Sequence, residues 1–209
     1  MQKQFFIQSY CHIKNNSVSV NGRLLFSLKN IQFPHFIKAA ATHFKTDYPK
    51  FYKMDNLSKL ALLSADILLK GNDKNEDTAI FLSNRASSLD SDRKHQAAIS
   101  DPENFYPSPS VFVYTLPNIC IGEICIKHHL HSENAFFVFD TFNPKHLFFN
   151  ADYLLKQNKA TQALCGWVDF DDKNYEAFLY LVSENGIIAH QQEEIERIYH
   201  SYKSKATND

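Results

Sequence analysis

The sequence predicts an α/β layer structure with a mostly parallel sheet, one antiparallel strand and helices on both faces. Three stretches carry that reading. Ala135-Phe136-Phe137-Val138-Phe139 is a short apolar run that stops at Asp140-Thr141-Phe142-Asn143-Pro144, the pattern of a buried strand ended by turn residues. Asn143 can cap a helix and Pro144 suits its first position, where a missing N–H costs nothing. The helix Lys145 to Gln157 follows, with Leu147, Phe148, Ala151, Leu154 and Leu155 on one face. A strand from Ala160 to Val168 closes a strand–helix–strand unit whose strands should run parallel. Sites in such sheets lie at the carboxyl ends of strands, which points to Asp140-Thr141-Phe142.

Composition narrows the function. At 209 residues the chain is one large domain or two small ones. No internal repeat or linker is visible, so residues 1–209 read as one domain, with 190–209 as a terminal helix and tail. The 18 Phe and 10 Tyr against 5 Gly favour a packed aromatic interior. A formal charge of -1 without a basic block argues against nucleic acid and against polybasic membrane attachment. No apolar segment approaches the roughly 18 residues of a membrane span. Met1 to Gln4 leads into no long apolar region, so a secretory signal is not expected. Cys11, Cys120, Cys125 and Cys165 read as buried free thiols of a cytoplasmic protein.

In chain order, Phe5 to His12 is a first strand. Asn15-Asn16 and Asn21-Gly22 bracket Ser17 to Val20 as a hairpin. Leu24 to Phe44 reads as irregular around Pro34, with a short helix from His35 to His43. After the turn Asp47-Tyr48-Pro49, Asp55 or Asn56 caps a helix whose apolar face includes Leu57, Leu60, Leu63, Ile67 and Leu68, ending at Gly71. Thr78 to Ser83 is a strand. Ser91 to Ile99 is helical, and Asp101 to Pro109 is a loop. A short helix ends near Leu116, and another runs from Asn118 to Lys127. Beyond Asp171 to Asn174, Tyr175 to Glu184 is the antiparallel strand, and His190 to Lys203 is a polar helix.

Four segments resemble the β-ketoacyl-ACP synthase family. Pro117-Asn118-Ile119-Cys120-Ile121-Gly122-Glu123-Ile124-Cys125-Ile126-Lys127 is similar to its pattern P-N-x-x-x-G-x-x-x-I-[RK]. Ser132-Glu133-Asn134 stands where the family has G-P-N-S. Leu164-Cys165-Gly166-Trp167-Val168-Asp169 looks like its V-A-G-G-[AS]-E strand, and Met54-Asp55 like its R-R-M-D helix start. The resemblance covers Met54 to Asp169 and implies a thiolase-like half.

Counting on from Asn134, Thr141 falls at the family's catalytic cysteine. A threonine hydroxyl needs an adjacent strong base, whereas a thiolate is itself nucleophilic. Asp140 beside it would repel an oxyanion, and Phe142 is bulky. The histidines of the family's second half have no counterpart here. The resemblance therefore implies a degenerate position with no catalytic residue. The implied role is that of the chain-length-factor subunits that work beside an active synthase in fatty-acid or polyketide-type (aryl-polyene) biosynthesis. It implies no cofactor and no metal. It implies an active synthase or a second copy as partner, with acyl carrier protein as a further one. Phe136, Phe137, Val138, Phe139 and Phe142 are the expected interface, with the helix from Asn118 adding apolar area. An acyltransferase or condensing enzyme with an unrecognised nucleophile, a hydrolase and a carrier-protein-binding module are the alternatives.

Other candidates have plainer readings. His128, His129 and His131 suggest a metal, but no carboxylate or cysteine accompanies them at ligand spacing, and a polar loop explains them. Cys120 and Cys125 lie on a packing helix without a motif histidine. Ser83 to Ser88 could take a carrier-arm phosphate, or simply be the strand-end loop beside Asp140-Thr141-Phe142.

Overall fold

Asparagines in the left-handed region start the sheet. The computed structural model describes residues 3–70 and 77–205. Strand β1 (Phe6–Lys14) turns through Asn15 and Asn16, at φ 50° and 54°, into β2 (Ser17–Val20). Asn21 and Gly22, at φ 50° and 76°, turn β2 into β3 (Arg23–Ser27). Two successive residues at positive φ match the twist of paired strands, which makes these two-residue hairpins tight.

Helix α1 (Phe33–His43) begins with Pro34 in its first turn, so that proline starts the helix instead of breaking the segment. The expected helix from His35 to His43 is present and starts two residues earlier, while β3 replaces the irregular stretch expected before it. A 3-10 turn at Pro49–Lys53 leads to α2 (Asn56–Leu69). Asp55 caps α2, its Oδ1 accepting the Ser58 N–H at 2.9 Å; the expected end at Gly71 lies outside the described residues. Then come β4 (Thr78–Asn84), α3 (Leu89–Ile99), α4 (Pro109–Val113) and α5 (Ile119–His128). The organising unit is β5 (Asn134–Val138), α6 (Pro144–Lys156) and β6 (Gln162–Asp171). Strand β7 (Asn174–Ser183) returns antiparallel, followed by a short β8 (Ile188–Ala189) and by α7 (Gln192–Lys205).

All eight strands join one sheet, in the order β3-β2-β1-β7-β6-β4-β5, with β8 on β1. Strands β5 and β6 are parallel as expected, but β4 lies between them. The expectation of a mostly parallel sheet is corrected. Among the described residues only the β4–β5 and β4–β6 ladders are parallel, and the other five pairings are antiparallel. Two-residue turns can join only antiparallel neighbours, and they build the β1–β3 end.

Alternation along the strands feeds two cores. Ile80, Leu82, Leu164 and Leu179 pack with α1, α2 and α5. Ala79, Phe81, Cys165 and Phe178 pack with α6 and α7 on the opposite face. Helix α2 is buried on nearly every side, and each fully buried leucine in it contributes roughly 1.5–3 kcal/mol. Gly166 sits where strands must touch: a Cβ there would meet the Phe178 carbonyl oxygen and lie 2.6 Å from Leu179 Cδ2. That position in the resembled strand therefore has a steric explanation.

Candidate functional site

The chain leaves the sheet at Phe139, whose N–H donates to the Asn84 carbonyl at 2.9 Å. Asp140 and Thr141 follow, both exposed. Asn143 then caps α6, its Oδ1 accepting the His146 N–H at 3.0 Å. Thr141 thus stands outside the helix, before the cap, and gains nothing from the first-turn N–H groups that would lower the pKa of a nucleophile or hold an oxyanion. Among the described residues no base is hydrogen-bonded to its hydroxyl.

Phe142 turns inward. Its ring lies 4.5 Å from Tyr199 on α7, 5.6 Å from Phe178 and 6.3 Å from Trp167. It is partly buried and packs against the core from the edge of the cleft. An open cleft of about 460 Å³ remains, lined by Arg85, Asp140, Thr141, Asp169, Glu196 and Tyr199 among others. Carboxylates outnumber cations in it, so its field disfavours an anionic substrate. Tyr199 donates to Glu176 Oε2 at 3.4 Å. Burial first, and Glu176 second, push its phenol well above the usual range, which rules it out as a base near neutral pH.

The Ser83–Ser88 loop does border this cleft through Arg85, but its anion-binding donors are taken. The N–H groups of Arg85 and Ala86 both donate to Asp169 Oδ1, at 3.1 and 2.9 Å. Asn84 closes the loop on itself through both ends of Ser87. A phosphate would have to displace a carboxylate built into β6.

Strand β5 is an edge. Glu133 O accepts from Ile80 N–H, and Phe139 N–H reaches Asn84, so the odd residues bond β4. By alternation, the N–H and C=O groups of Asn134, Phe136 and Val138 point to the open side. Phe136 packs on one core and Phe137 on the other, both half-buried, while Val138 is 52% exposed. The Phe137 ring stands edge-on to His146 at 4.4 Å, with Phe139 stacked at 5.9 Å. Helix α5 packs beside β5 and presents Gly122 and Ile126, the latter 61% exposed; a Cβ on Gly122 would meet nothing within 4 Å. An apolar stripe and an unpaired edge therefore lie together.

Glu123, which the sequence reading passed over, holds this helix in place. It is buried, and it accepts from Tyr48 at 2.7 Å and Tyr114 at 3.0 Å while Lys50 pairs with it at 2.6 Å. Burial and then Glu123 push the Tyr48 phenol up to about 12. The apolar neighbours of Glu123 in sequence hid it, since no local pattern marks a buried carboxylate with distant partners.

His128 lies 3.3 Å from Asp66 Oδ1, an oxygen it shares with Lys127, while Thr46 donates to the other oxygen at 2.7 Å. These groups tie α5 to α2. His129 is the left-handed residue that ends α5, and His131 is exposed. Among the described residues no three His, Cys, Asp or Glu side chains are placed to hold a metal. Cys11, Cys120 and Cys165 are buried, and burial pushes their thiols up. Cys125 departs from the expectation of burial, being half-buried, though its thiol is also raised.

Comparison with known proteins identifies the fold. No protein-family model matches the chain. No curated protein matches it either. Solved structures do. The ishigamide ketosynthase/chain length factor superposes with a TM-score of 0.62 at 17% identity, over 86% of this chain and 62% of that one. The ketosynthase ApeO in complex with its chain length factor ApeC, from Xenorhabdus doucetiae, gives 0.59 at 16% identity, over 88% of this chain and 80% of that one. The complex of AntDE with the acyl-carrier protein AntF gives 0.57 at 12% identity, over 94% and 65%. This chain has the mixed α/β fold of ketosynthase and chain-length-factor subunits. It spans less than two thirds of the first and third of these chains.

Proposed function

We propose that this chain is a non-catalytic, chain-length-factor-like subunit. Residues 1–209 form a single domain that resembles the N-terminal, thiolase-like half of a β-ketoacyl synthase. It works in the cytoplasm beside an active ketosynthase in fatty-acid or polyketide-type, aryl-polyene-like biosynthesis. The observation that carries this reading is the open apolar edge of β5 next to the Gly122–Ile126 stripe of α5. An unpaired edge of that composition invites strand addition. The exposed Thr141, the filled space around Phe142 and the acidic cleft favour a structural role over acyl transfer. Acyl carrier protein would meet the pair through the active partner, since the loop at Arg85 is occupied by Asp169.

The test is to purify the chain with and without a candidate ketosynthase and measure mass by light scattering. A one-to-one complex is expected, and no acyl adduct should appear on Thr141 by mass spectrometry after incubation with acyl-ACP or malonyl-ACP. An adduct on Thr141 would favour the acyltransferase reading instead.

Self-pairing is a second reading with its own support. Two copies of β5 crossing antiparallel at Phe136 would set Asn134 against Val138 and place no like charges opposite one another, which costs nothing electrostatically. A homodimer without the ketosynthase would favour it.

A further inference from the structure

At the far end of the sheet, between the C-terminal end of α7 and the β1–β3 hairpins, lies a cleft of about 870 Å³. The residues that line it are mostly neutral hydrogen-bonding groups, among them Ser17, Ser19, Ser27 and Asn30, with Tyr10 and Tyr202 as aromatic walls. Among the described residues Lys29 is the one charged side chain in that lining, and no carboxylate is present.

Among the described residues, two polar atoms beneath it have no partner. His12 is 1% exposed and its Nε2 is buried without a hydrogen bond; Ser19 is 5% exposed and its Oγ is likewise unpaired. The two residues are directly opposite in the β1–β2 ladder. Their side chains therefore rise from the same face, with Cβ atoms roughly 4.5–5.5 Å apart. The ring of His12 is clamped between Phe178 and Tyr202, at 4.6 and 4.9 Å, and bonds the Tyr199 backbone through its other nitrogen. That bond makes Nδ1 the donor and leaves Nε2 as a fixed acceptor. Buried polar atoms in folded proteins are nearly always satisfied, so an opposed pair unpaired beneath one cleft calls for a ligand or water atom between them.

We propose that this cleft binds a neutral polyhydroxylated ligand of the saccharide class. One hydroxyl would donate to His12 Nε2 and accept from Ser19 Oγ. A hydroxyl does both from one atom, as a water does, and a hydroxyl is the form in which a ligand carries that chemistry. A carboxylate or a sulfate has no hydrogen to donate to a neutral imidazole, and an ammonium ion finds no carboxylate in the lining. The Tyr10 and Tyr202 walls suit the apolar faces of a sugar ring, while Ser17, Ser27 and Asn30 offer further partners.

The test uses the full chain, labelled with nitrogen-15, titrated with maltose, with glycerol as a minimal polyol and sulfate as an anionic control. A saturable shift of the His12 Nε2 resonance with maltose is expected. Ser19→Ala should weaken binding about fivefold, the effect of one hydrogen bond, without lowering the melting temperature, because the hydroxyl has no protein partner to lose. Tyr202→Phe should leave binding within about twofold. No saturable shift with maltose or glycerol overturns the proposal, as does saturable binding of sulfate alone. A lower melting temperature for Ser19→Ala with no maltose binding would show that a structural water fills the gap, and would also overturn it.

Discussion

The rings of Phe142 and Tyr199 meet at 4.5 Å, tilted by 44°. This contact joins the loop at the end of β5 to the last helix of the chain, beside the cleft that Thr141 lines. Removing one ring should both open the cleft and loosen α7. Tyr199→Ala is expected to destabilise the chain by about 3 kcal/mol, as for other large buried rings. Urea unfolding followed by circular dichroism measures this; a change below about 1 kcal/mol would mean that α7 docks without that ring.

Association should depend on the open side of β5. Phe137 is half-buried against α6, so a charge there would perturb folding as well. Val138, at 52% exposure, is the cleaner probe. Val138→Lys should leave the unfolding midpoint nearly unchanged while abolishing the complex that light scattering is expected to detect. A variant that still pairs at full strength would exclude this edge as the contact.

Two glycines should respond in opposite ways. Gly166→Ala forces a methyl into the backbone of β7 and is expected to cost more than about 3 kcal/mol, or to yield insoluble protein. Gly122→Ala points into open space on a helix and should stabilise the isolated chain by about 0.5–1 kcal/mol. If α5 approaches a partner backbone closely, the same substitution will weaken the complex. Stabilisation together with undiminished pairing would show that Gly122 lies off the interface.

Acid should unfold this chain through buried histidines. Burial lowers His12 from 6.5 to about 3 and His190 from 6.5 to about 4. The native state keeps both neutral, while the unfolded chain protonates them below about pH 6.5. Their contribution is therefore complete above pH 6.5 and declines as the pH falls toward 4 and then 3. Each histidine should add a slope of about 1.4 kcal/mol per pH unit in that window. Urea midpoints at pH 7.5 and 5.0 test this, and His190→Phe should remove about half of the difference. Equal midpoints at the two pH values would refute it.

Much of the architecture was legible in the residues themselves. The apolar run ending at Asp140, the Asn143-Pro144 helix start and the asparagine turns of the first hairpin are local signals, and local sterics and capping decide them. The resemblance around Gly122, Thr141 and Gly166 pointed to the fold that the ketosynthase and chain-length-factor structures share. Strand order was not legible. Periodicity reports which face of a strand is buried and says nothing about its neighbour, so the insertion of β4 between β5 and β6 and the antiparallel majority of the sheet came only from tertiary pairing. The same holds for Pro34, which starts a helix because Phe33, Phe36 and Ile37 find the core. The inward turn of Phe142, the filling of the Arg85 loop by Asp169, the burial of Glu123 and the unpaired His12–Ser19 floor each join residues far apart in the chain. A sequence by itself determines propensities and faces; which distant groups meet is decided by how the sheet packs against its helices, because burial and desolvation act on the assembled layers.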